Sequence, residues 1–355
     1  MATSNDVPEL LFDRYFKQNP SPVARAMYVG RATSPGLGDA LFDQAIEAAR
    51  NDINRIFQIN APKITTPYGP AKVYVDFLES SKLNAFAFKS DGWSFIAITT
   101  ALLSRFTEIS RSLWRLNLLD HVLGLNLDLE TRNNLAAAFM LILLQFLSNH
   151  ELGHFFHGHC ESDSPTFVLA EFGNADDLGK YLPSTNPLRL QAMEVEADGY
   201  AAHMMAENLF KGKVGANLHD KLQSSLDIEE FTLNFFLCAL GAVFYLWGNR
   251  SFDVRDVRTY DHPPALMRMN VFMADLRGWF SLNIPSLETQ ASVERFQLIM
   301  SCVSQAAEGT INEEPWQQQG DFLLSVAGKD YIDELYMTRE RLRQEMTPYR
   351  WHKTD

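Results

Sequence analysis

The chain has 355 residues, 46% of them hydrophobic, which is enough for a large core in one or two domains. Its 44 acidic residues outnumber the 31 lysines and arginines, and the resulting charge of −13 argues against nucleic-acid binding as the main function. The three cysteines, Cys160, Cys238 and Cys302, are too few and too far apart for a disulfide framework, which fits a reducing compartment. Because the first residues contain neither a basic nor an apolar region, we expect no signal peptide and a cytoplasmic location.

Residues 1–62 are predicted to form an N-terminal helical segment. Proline and glycine interrupt its first half. Residues 39–59 then carry apolar side chains at helical spacing, and Asp39 is the predicted N-cap of this helix. A break rich in proline and glycine at 62–70 separates the segment from a catalytic core that we place at residues 63–275.

A small β-sheet is predicted at the start of this core. Apolar and polar residues alternate over 73–77, and residues 83–88 and 95–99 have the composition of two further strands. The sequence Lys-Ser-Asp-Gly at 89–92 predicts a hairpin turn, and residues 102–114 return to helix. An edge strand of such a sheet can pair with an extended peptide substrate, although an ordinary core hairpin explains the same pattern.

The motif His150-Glu151-Leu152-Gly153-His154 directly follows an apolar run, 135–147, that predicts a buried helix. Because positions i and i+4 share one face of a helix, His150 and His154 can direct both imidazoles at one metal ion. Glu151 lies about 100° around the helix from His150 and can accept a proton from the metal's water without binding the ion. This arrangement is typical of catalytic zinc; a helix with two hydrogen-bonded histidines is the structural alternative. Gly153 would let another backbone pack closely against the motif.

A tetrahedral zinc site needs a third protein ligand, and the residues after the motif do not supply it in a familiar pattern. The metzincin pattern fails, because His157 and Cys160 stand where it requires glycine and histidine. His157 lies about 10 Å along a straight helix from His150, which is too far to share an ion. With His159, these residues make the end of the helix rich in potential ligands.

The remaining candidate for the third ligand is the acidic stretch 191–203. Glu194 and Asp198 are four residues apart and share one face of a helix. Glu194 can bind the ion, and Asp198 can accept a hydrogen bond from the second nitrogen of a ligand histidine. Glu196 points elsewhere on this helix. A solvated acidic face is the alternative interpretation of the stretch.

Taken together, these motifs resemble the gluzincin metallopeptidases of the HtpX and CAAX-prenyl-protease type. The resemblance covers about residues 70–272 and also includes the Asn-Ala-Phe-Ala strand at 84–87 and the His-Pro segment that begins at His262. The active-site helix is more loosely similar to that of the phage-exclusion protease Lit.

The resemblance implies one Zn²⁺ per chain. Its ligands would be His150, His154 and Glu194. Glu151 would be the general base, Asp198 a supporting carboxylate, and His262 and Arg268 supports of the site.

The later segments are predicted to be helical. Residues 231–247 are the most hydrophobic, and we interpret them as a core helix beside the active site rather than a membrane span. Residues 276–355 are predicted to form a C-terminal helical extension with an amphipathic close at 332–345 and no visible chemistry. The polar connection between His159 and Gln191 is either one wall of the substrate cleft or an exposed loop.

The sequence thus predicts an α+β, mainly helical protein with a zincin-like core and a small β-sheet ahead of the motif helix. The predicted function is a zinc-dependent endopeptidase acting on a protein or peptide substrate, with no nucleic acid and no membrane involved. A catalytically silent zincin-fold regulatory or binding protein is the alternative, and a metal-free protein that binds partners through its acidic surface is a third. His262, His203 and Tyr200 are equal candidates for the donor that stabilises the oxyanion.

Overall fold

The structure is a computed structural model, mainly helical with a small mixed β-sheet, which confirms the predicted α+β class. It describes residues 7–18, 30–116, 118–160, 169–170, 186–248, 253–260, 262–290, 293–309 and 314–353. Most of the connection between His159 and Gln191, and Asp261 of the His-Pro segment, lie outside these ranges.

The strands and helices have the following bounds. The strands are β1 (Gly30–Arg31), β2 (Ile64–Thr66), β3 (Gly69–Pro70), β4 (Val73–Glu79), β5 (Ala85–Ser90), β6 (Trp93–Thr99), β7 (Leu169–Ala170) and β8 (His352–Lys353). The helices are α1 (Pro8–Gln18), α2 (Ala40–Asn60), α3 (Thr100–Arg115), α4 (Leu118–Leu123), α5 (Leu129–Phe156), α6 (Pro187–Ala206), α7 (Val214–Leu222), α8 (Ile228–Gly248), α9 (Ala265–Asn283), α10 (Pro285–Glu288), α11 (Val293–Glu308), α12 (Glu314–Leu324) and α13 (Val326–Met346).

The main sheet has five strands in the order β1-β4-β6-β5-β7. β4 and β6 run parallel, whereas β5 and β6 form the predicted hairpin. Its turn places Asp91 and Gly92 at φ values of 51° and 76°, the conformation that Asp-Gly turns favour. The outer edge of β5 pairs with β7. A second sheet joins β2 to β3 and to β8 near the C-terminal end.

Both faces of the central strands are buried. The alternating side chains of β4 therefore point into two different hydrophobic cores, and neither set points to solvent. Val73, Val75 and Phe77 pack into the main core together with residues of α2 and α5. Tyr74 and Leu78 face a second, mostly aromatic cluster covered by α1, a helix that the sequence pattern did not identify. This second cluster consists of Leu11, Phe12, Tyr15, Phe16, Tyr74, Leu78, Phe86, Phe88, Phe95 and Ala97.

α5 lies at the centre of the helical part and packs against α2, α3 and α6, while α6 also packs against α9 and α13. The carboxylate of Asp128 caps α5 by accepting a hydrogen bond of 2.7 Å from the backbone N–H of Thr131. The N-cap predicted at Asp39 is confirmed, because Asp39 accepts from the N–H groups of Leu41 and Phe42 at the start of α2.

Two helices are long and apolar enough to cross a membrane on length and composition alone, namely Leu129–Phe156 and Ile228–Trp247. In the fold, 83% and 89% of their most apolar windows are buried against other parts of the chain. Burial of this kind is what a core helix requires, and it agrees with the interpretation of residues 231–247 as a core helix.

Gly153 allows α5 and α6 to approach each other closely. A Cβ atom at this position would lie 2.9 Å from Cα of Ala197 and 3.1 Å from Cβ of Tyr200. Backbone atoms cannot move aside as the end of a flexible side chain can. The predicted close packing against this glycine is therefore confirmed, and it brings α6 to the face of α5 that carries the motif.

We expect Gly153→Ala to lower the free energy of unfolding by about 1–3 kcal/mol, the usual cost of overpacking a core. The matched control is Gly278→Ala, because Gly278 lies in α9 and its Cβ would meet no atom within 4 Å. That variant should be as stable as the parent or more stable by up to about 1 kcal/mol, through the higher helix propensity of alanine. Urea denaturation measures both, and equal stability of the two variants would contradict this account of Gly153.

Candidate metal centre

The two histidines of the motif lie in the last two turns of α5 and are fully buried. Their Nε2 atoms are 3.2 Å apart, as the i, i+4 spacing predicts for two imidazoles directed at one point. Glu151, between them in sequence, is also fully buried. Helical geometry alone therefore assembles two donor atoms and a neighbouring carboxylate.

α6 contributes the third donor, Glu194. Its carboxylate oxygens lie 3.4 Å from Nε2 of His150 and 3.7 Å from Nε2 of His154. Each of the three residues offers one donor atom, and these atoms lie within 4.8 Å of one another. Within the described residues, they form a group that could hold a metal ion. The structure thus brings together the three predicted ligands from two helices.

Asp198 and Arg268 support the cluster from behind His150. Oδ1 of Asp198 lies 3.0 Å from Nδ1 of His150, and Arg268 donates two hydrogen bonds of 2.8 Å to the same carboxylate. Burial opposes ionisation of Asp198, but Arg268 and His150 outweigh it and hold the pKa of Asp198 below its usual range. The guanidinium of Arg268 stacks on Trp247 at 3.6 Å and lies 3.4 Å from Glu194. Both residues therefore lie beside predicted ligands, Asp198 next to His150 and Arg268 next to Glu194.

His262 lies at the rim of the cluster, with Nε2 3.8 Å from a carboxylate oxygen of Glu194 and 13% of its side chain exposed. The loop before it is anchored by Gln191, whose amide donates to the backbone carbonyls of Val257 and Tyr260. Tyr331 completes the anchor by donating to Oε1 of Gln191 at 2.7 Å. A residue one turn before Glu194 on α6 thus fixes the approach of His262.

The three candidate oxyanion donors are now distinguished by position. His262 lies beside a predicted ligand, Glu194. Tyr200 stacks on Phe156 at 4.8 Å, and burial raises the pKa of its hydroxyl. His203 is exposed on the last turn of α6.

His159 is a member of the site that sequence reasoning did not identify. Its Nδ1 lies 3.0 Å from Nδ1 of His154, on the side of that ring away from the cluster, and its Nε2 lies 3.2 Å from Glu196. Burial lowers the pKa of His159 to about 4, although the bond to Glu196 acts in the opposite direction. Glu196 indeed points away from the ligands, as predicted, and what it faces is this histidine.

The end of α5 carries a signal that would have revealed His159. Gly158 adopts φ +80°, and the N–H groups of Gly158 and His159 donate to the carbonyls of Phe155 and His154. These are the two bonds of a Schellman motif, which turns the chain back over the last helical turn. A glycine just after a helix therefore predicts that the next residue lies beside the residue five positions earlier.

The other potential ligands at this helix end stay outside the cluster. His157 caps the helix, and burial together with the neighbouring His159 lowers its pKa to about 3. Cys160 is buried, and this burial raises the pKa of its thiol, so the protonated form is favoured.

Comparison with known proteins gives no match to a family model, to a curated protein or to a solved structure.

We expect the purified protein to hold about one metal ion per chain, and zinc is the ion that a His/His/Glu set predicts. His150→Ala and Glu194→Ala should each reduce the metal content, measured by plasma mass spectrometry after gel filtration, to a small fraction of the parent. Glu207→Ala is the matched control, because this glutamate follows the same helix but binds Lys211 and Trp279. Full metal content in Glu194→Ala would show that the third ligand is wrong.

Proposed function

We propose that the protein is a zinc-dependent endopeptidase that hydrolyses peptide bonds of a protein substrate, with Glu151 as the general base. The observation that carries this proposal is the spacing of the three donor groups. Zinc bonds of about 2.0–2.2 Å at tetrahedral angles place the donor atoms about 3.3–3.6 Å apart. The Nε2 atoms of His150 and His154 are 3.2 Å apart, and Glu194 brings Oε2 to 3.4 Å from the first and Oε1 to 3.7 Å from the second, which are separations near that spacing.

Zinc, when bound, supplies a Lewis acid that polarises a carbonyl group and lowers the pKa of water to about 7. Glu151 then accepts a proton from the attacking water and passes it to the leaving amine. His150 is held by Asp198, which fixes its tautomer and orientation.

His262 is the group that we assign to the oxyanion. It sits at the rim of the cluster, with Nε2 3.8 Å from a carboxylate oxygen of Glu194. Since the ligand histidines and Glu151 have no exposed surface, substrate would approach from the side of His262. Arg268 would not contact the substrate; its positive charge balances the carboxylates of Asp198 and Glu194.

The order of the elements supports the zincin-like core that we propose. The motif helix α5, the acidic helix α6 and the sheet ahead of them occur in the order that the family resemblance implies. A peptide that binds by strand addition would use the outer edge of β5. In this structure β7 pairs with that edge over two residue pairs, so such a peptide would compete with β7. We also propose a cytoplasmic location, which fits three buried, unpaired cysteines.

One observation favours the alternative of a catalytically silent binding or regulatory protein. His150, Glu151 and His154 have a relative exposure of 0%, as expected of a site that holds metal for structural reasons. A purely structural site has no need of Glu151, however, and typically closes its coordination with a fourth protein ligand. Among the described residues the cluster has three.

Replacing Glu151 by glutamine should separate catalysis from metal binding. We expect Glu151→Gln to keep the zinc content and thermal stability of the parent. Peptide hydrolysis should fall about 10²–10⁴-fold, mainly in kcat, because the proton acceptor is needed in the transition state. An unbiased peptide library, or self-cleavage in concentrated samples, would supply the substrate.

The control is Glu130→Gln, which changes an exposed glutamate in the first turn of the same helix. It should hydrolyse peptides at the rate of the parent. Parent-like turnover by zinc-loaded Glu151→Gln would exclude the proposed mechanism. A parent protein that holds zinc and cleaves nothing would instead support the silent alternative.

A further inference from the structure

A continuous line of hydrogen-bonding side chains leads from His154 to the C-terminal helix α13. Nδ1 of His154 lies 3.0 Å from Nδ1 of His159, and Nε2 of His159 lies 3.2 Å from Oε2 of Glu196. The other oxygen of Glu196 accepts a hydrogen bond of 2.6 Å from Nε of Arg343. His159 and Glu196 are buried, whereas Arg343 keeps 38% of its side chain exposed. The line therefore joins the metal cluster to the protein surface.

Metal binding at Nε2 of His154 would fix the direction of every hydrogen bond in this line. A neutral imidazole that binds an ion through one nitrogen carries its proton on the other, so Nδ1 of His154 is a donor. His159 must then accept at Nδ1, keep its own proton on Nε2, and donate it to Glu196. Arg343, which can only donate, serves the second carboxylate oxygen. Each group thus finds a partner of the type it needs.

We propose that His159, Glu196 and Arg343 are positioning residues that orient His154 for metal binding. The inference rests on the proposed function in taking zinc as the ion. Zinc-binding histidines generally donate their second N–H to a carboxylate or carbonyl, and loss of that partner weakens metal binding about 10–100-fold. His150 has its carboxylate directly, in Asp198. His154 reaches a carboxylate through one intervening imidazole.

The C-terminal segment also holds the turn that carries His159. A Cβ on Gly158 would lie 2.7 Å from Cβ of Tyr349, so the turn packs directly against this residue. The backbone N–H of Trp351 donates to the carbonyl of Phe156 at 3.1 Å, and its ring stacks on Phe155 at 5.5 Å. The predicted C-terminal extension therefore forms part of the outer layer of the metal site.

Zinc dissociation constants of the full chain, measured by competition with a chromophoric chelator, test this inference. Glu196→Gln keeps the shape of the side chain and removes its charge. Arg343→Met removes the donor at the surface, and Arg343→Lys restores a cation there. Arg341→Met is the matched control, because Arg341 lies on the same helix and donates to Thr338.

We expect Glu196→Gln to weaken zinc binding about 10–100-fold. Arg343→Met should weaken it about tenfold, at the lower end of that range, because Arg350 lies 3.9 Å from the same carboxylate oxygen. Arg343→Lys should recover most of the loss, and Arg341→Met should bind like the parent. The visible spectrum of the cobalt-substituted protein should also change in Glu196→Gln, since its bands report the coordination geometry.

Thermal unfolding of the metal-free proteins checks that each variant is folded. Parent-like zinc affinity in folded Glu196→Gln and Arg343→Met would overturn the inference and leave the proposed function standing. If Glu196→Gln does not fold, Arg343→Met decides alone, because its change lies at the surface. Absence of zinc binding by the parent would contradict the proposed function, and this inference with it.

Discussion

The contact between α5 and α6 at Gly153 is the constraint on which the site depends. Cα of Ala197 lies only 2.9 Å from where a Cβ at position 153 would be, so the two helices can approach this closely because that side chain is absent. Ala197 lies between Glu194 and Asp198 in sequence and within one turn of both. The glycine that permits the contact and the carboxylates that use it are therefore parts of one arrangement, in which helix packing sets the donor distances.

This contact buries a large amount of charge, which must be balanced locally. Glu194, Glu196 and Asp198 lie within five residues of α6 and are almost completely buried. A buried carboxylate without a partner costs of order several kcal/mol. Arg268 faces two of them, and Arg343 faces the third. The buried arginine stacks on Trp247, so its own charge is also compensated.

The two sides of the site are supported by different parts of the chain. His150 is held by Asp198 and Arg268, which come from α6 and α9. His154 is held by His159 and Glu196, whose charge is balanced by Arg343 of α13. A division of the chain at residue 275 would separate Arg343 from the carboxylate it binds. Helix α13 therefore contacts the candidate metal cluster's surroundings through Glu196, in addition to packing against α6.

The sequence by itself determined most of the strands and helices and the candidate ligand set, because these follow from local spacing. The i, i+4 relation of His150 and His154, and that of Glu194 and Asp198, holds on any helix and needs no tertiary contact. The strands, the Asp-Gly hairpin and the cap at Asp39 are likewise local features. Only the tertiary structure decided the rest. It alone placed β4 parallel to β6, covered the sheet with α1, and placed His262 beside Glu194.

The residues that support His154 show most clearly why the sequence could not predict such contacts. His159 and Glu196 are 37 residues apart, and Glu196 and Arg343 are 147 apart. None of the three residues stands out in the sequence, and no regular spacing relates His159, Glu196 and Arg343 to one another. Their meeting depends on how α5, α6 and α13 pack, which is set by the summed burial of many side chains rather than by any local pattern.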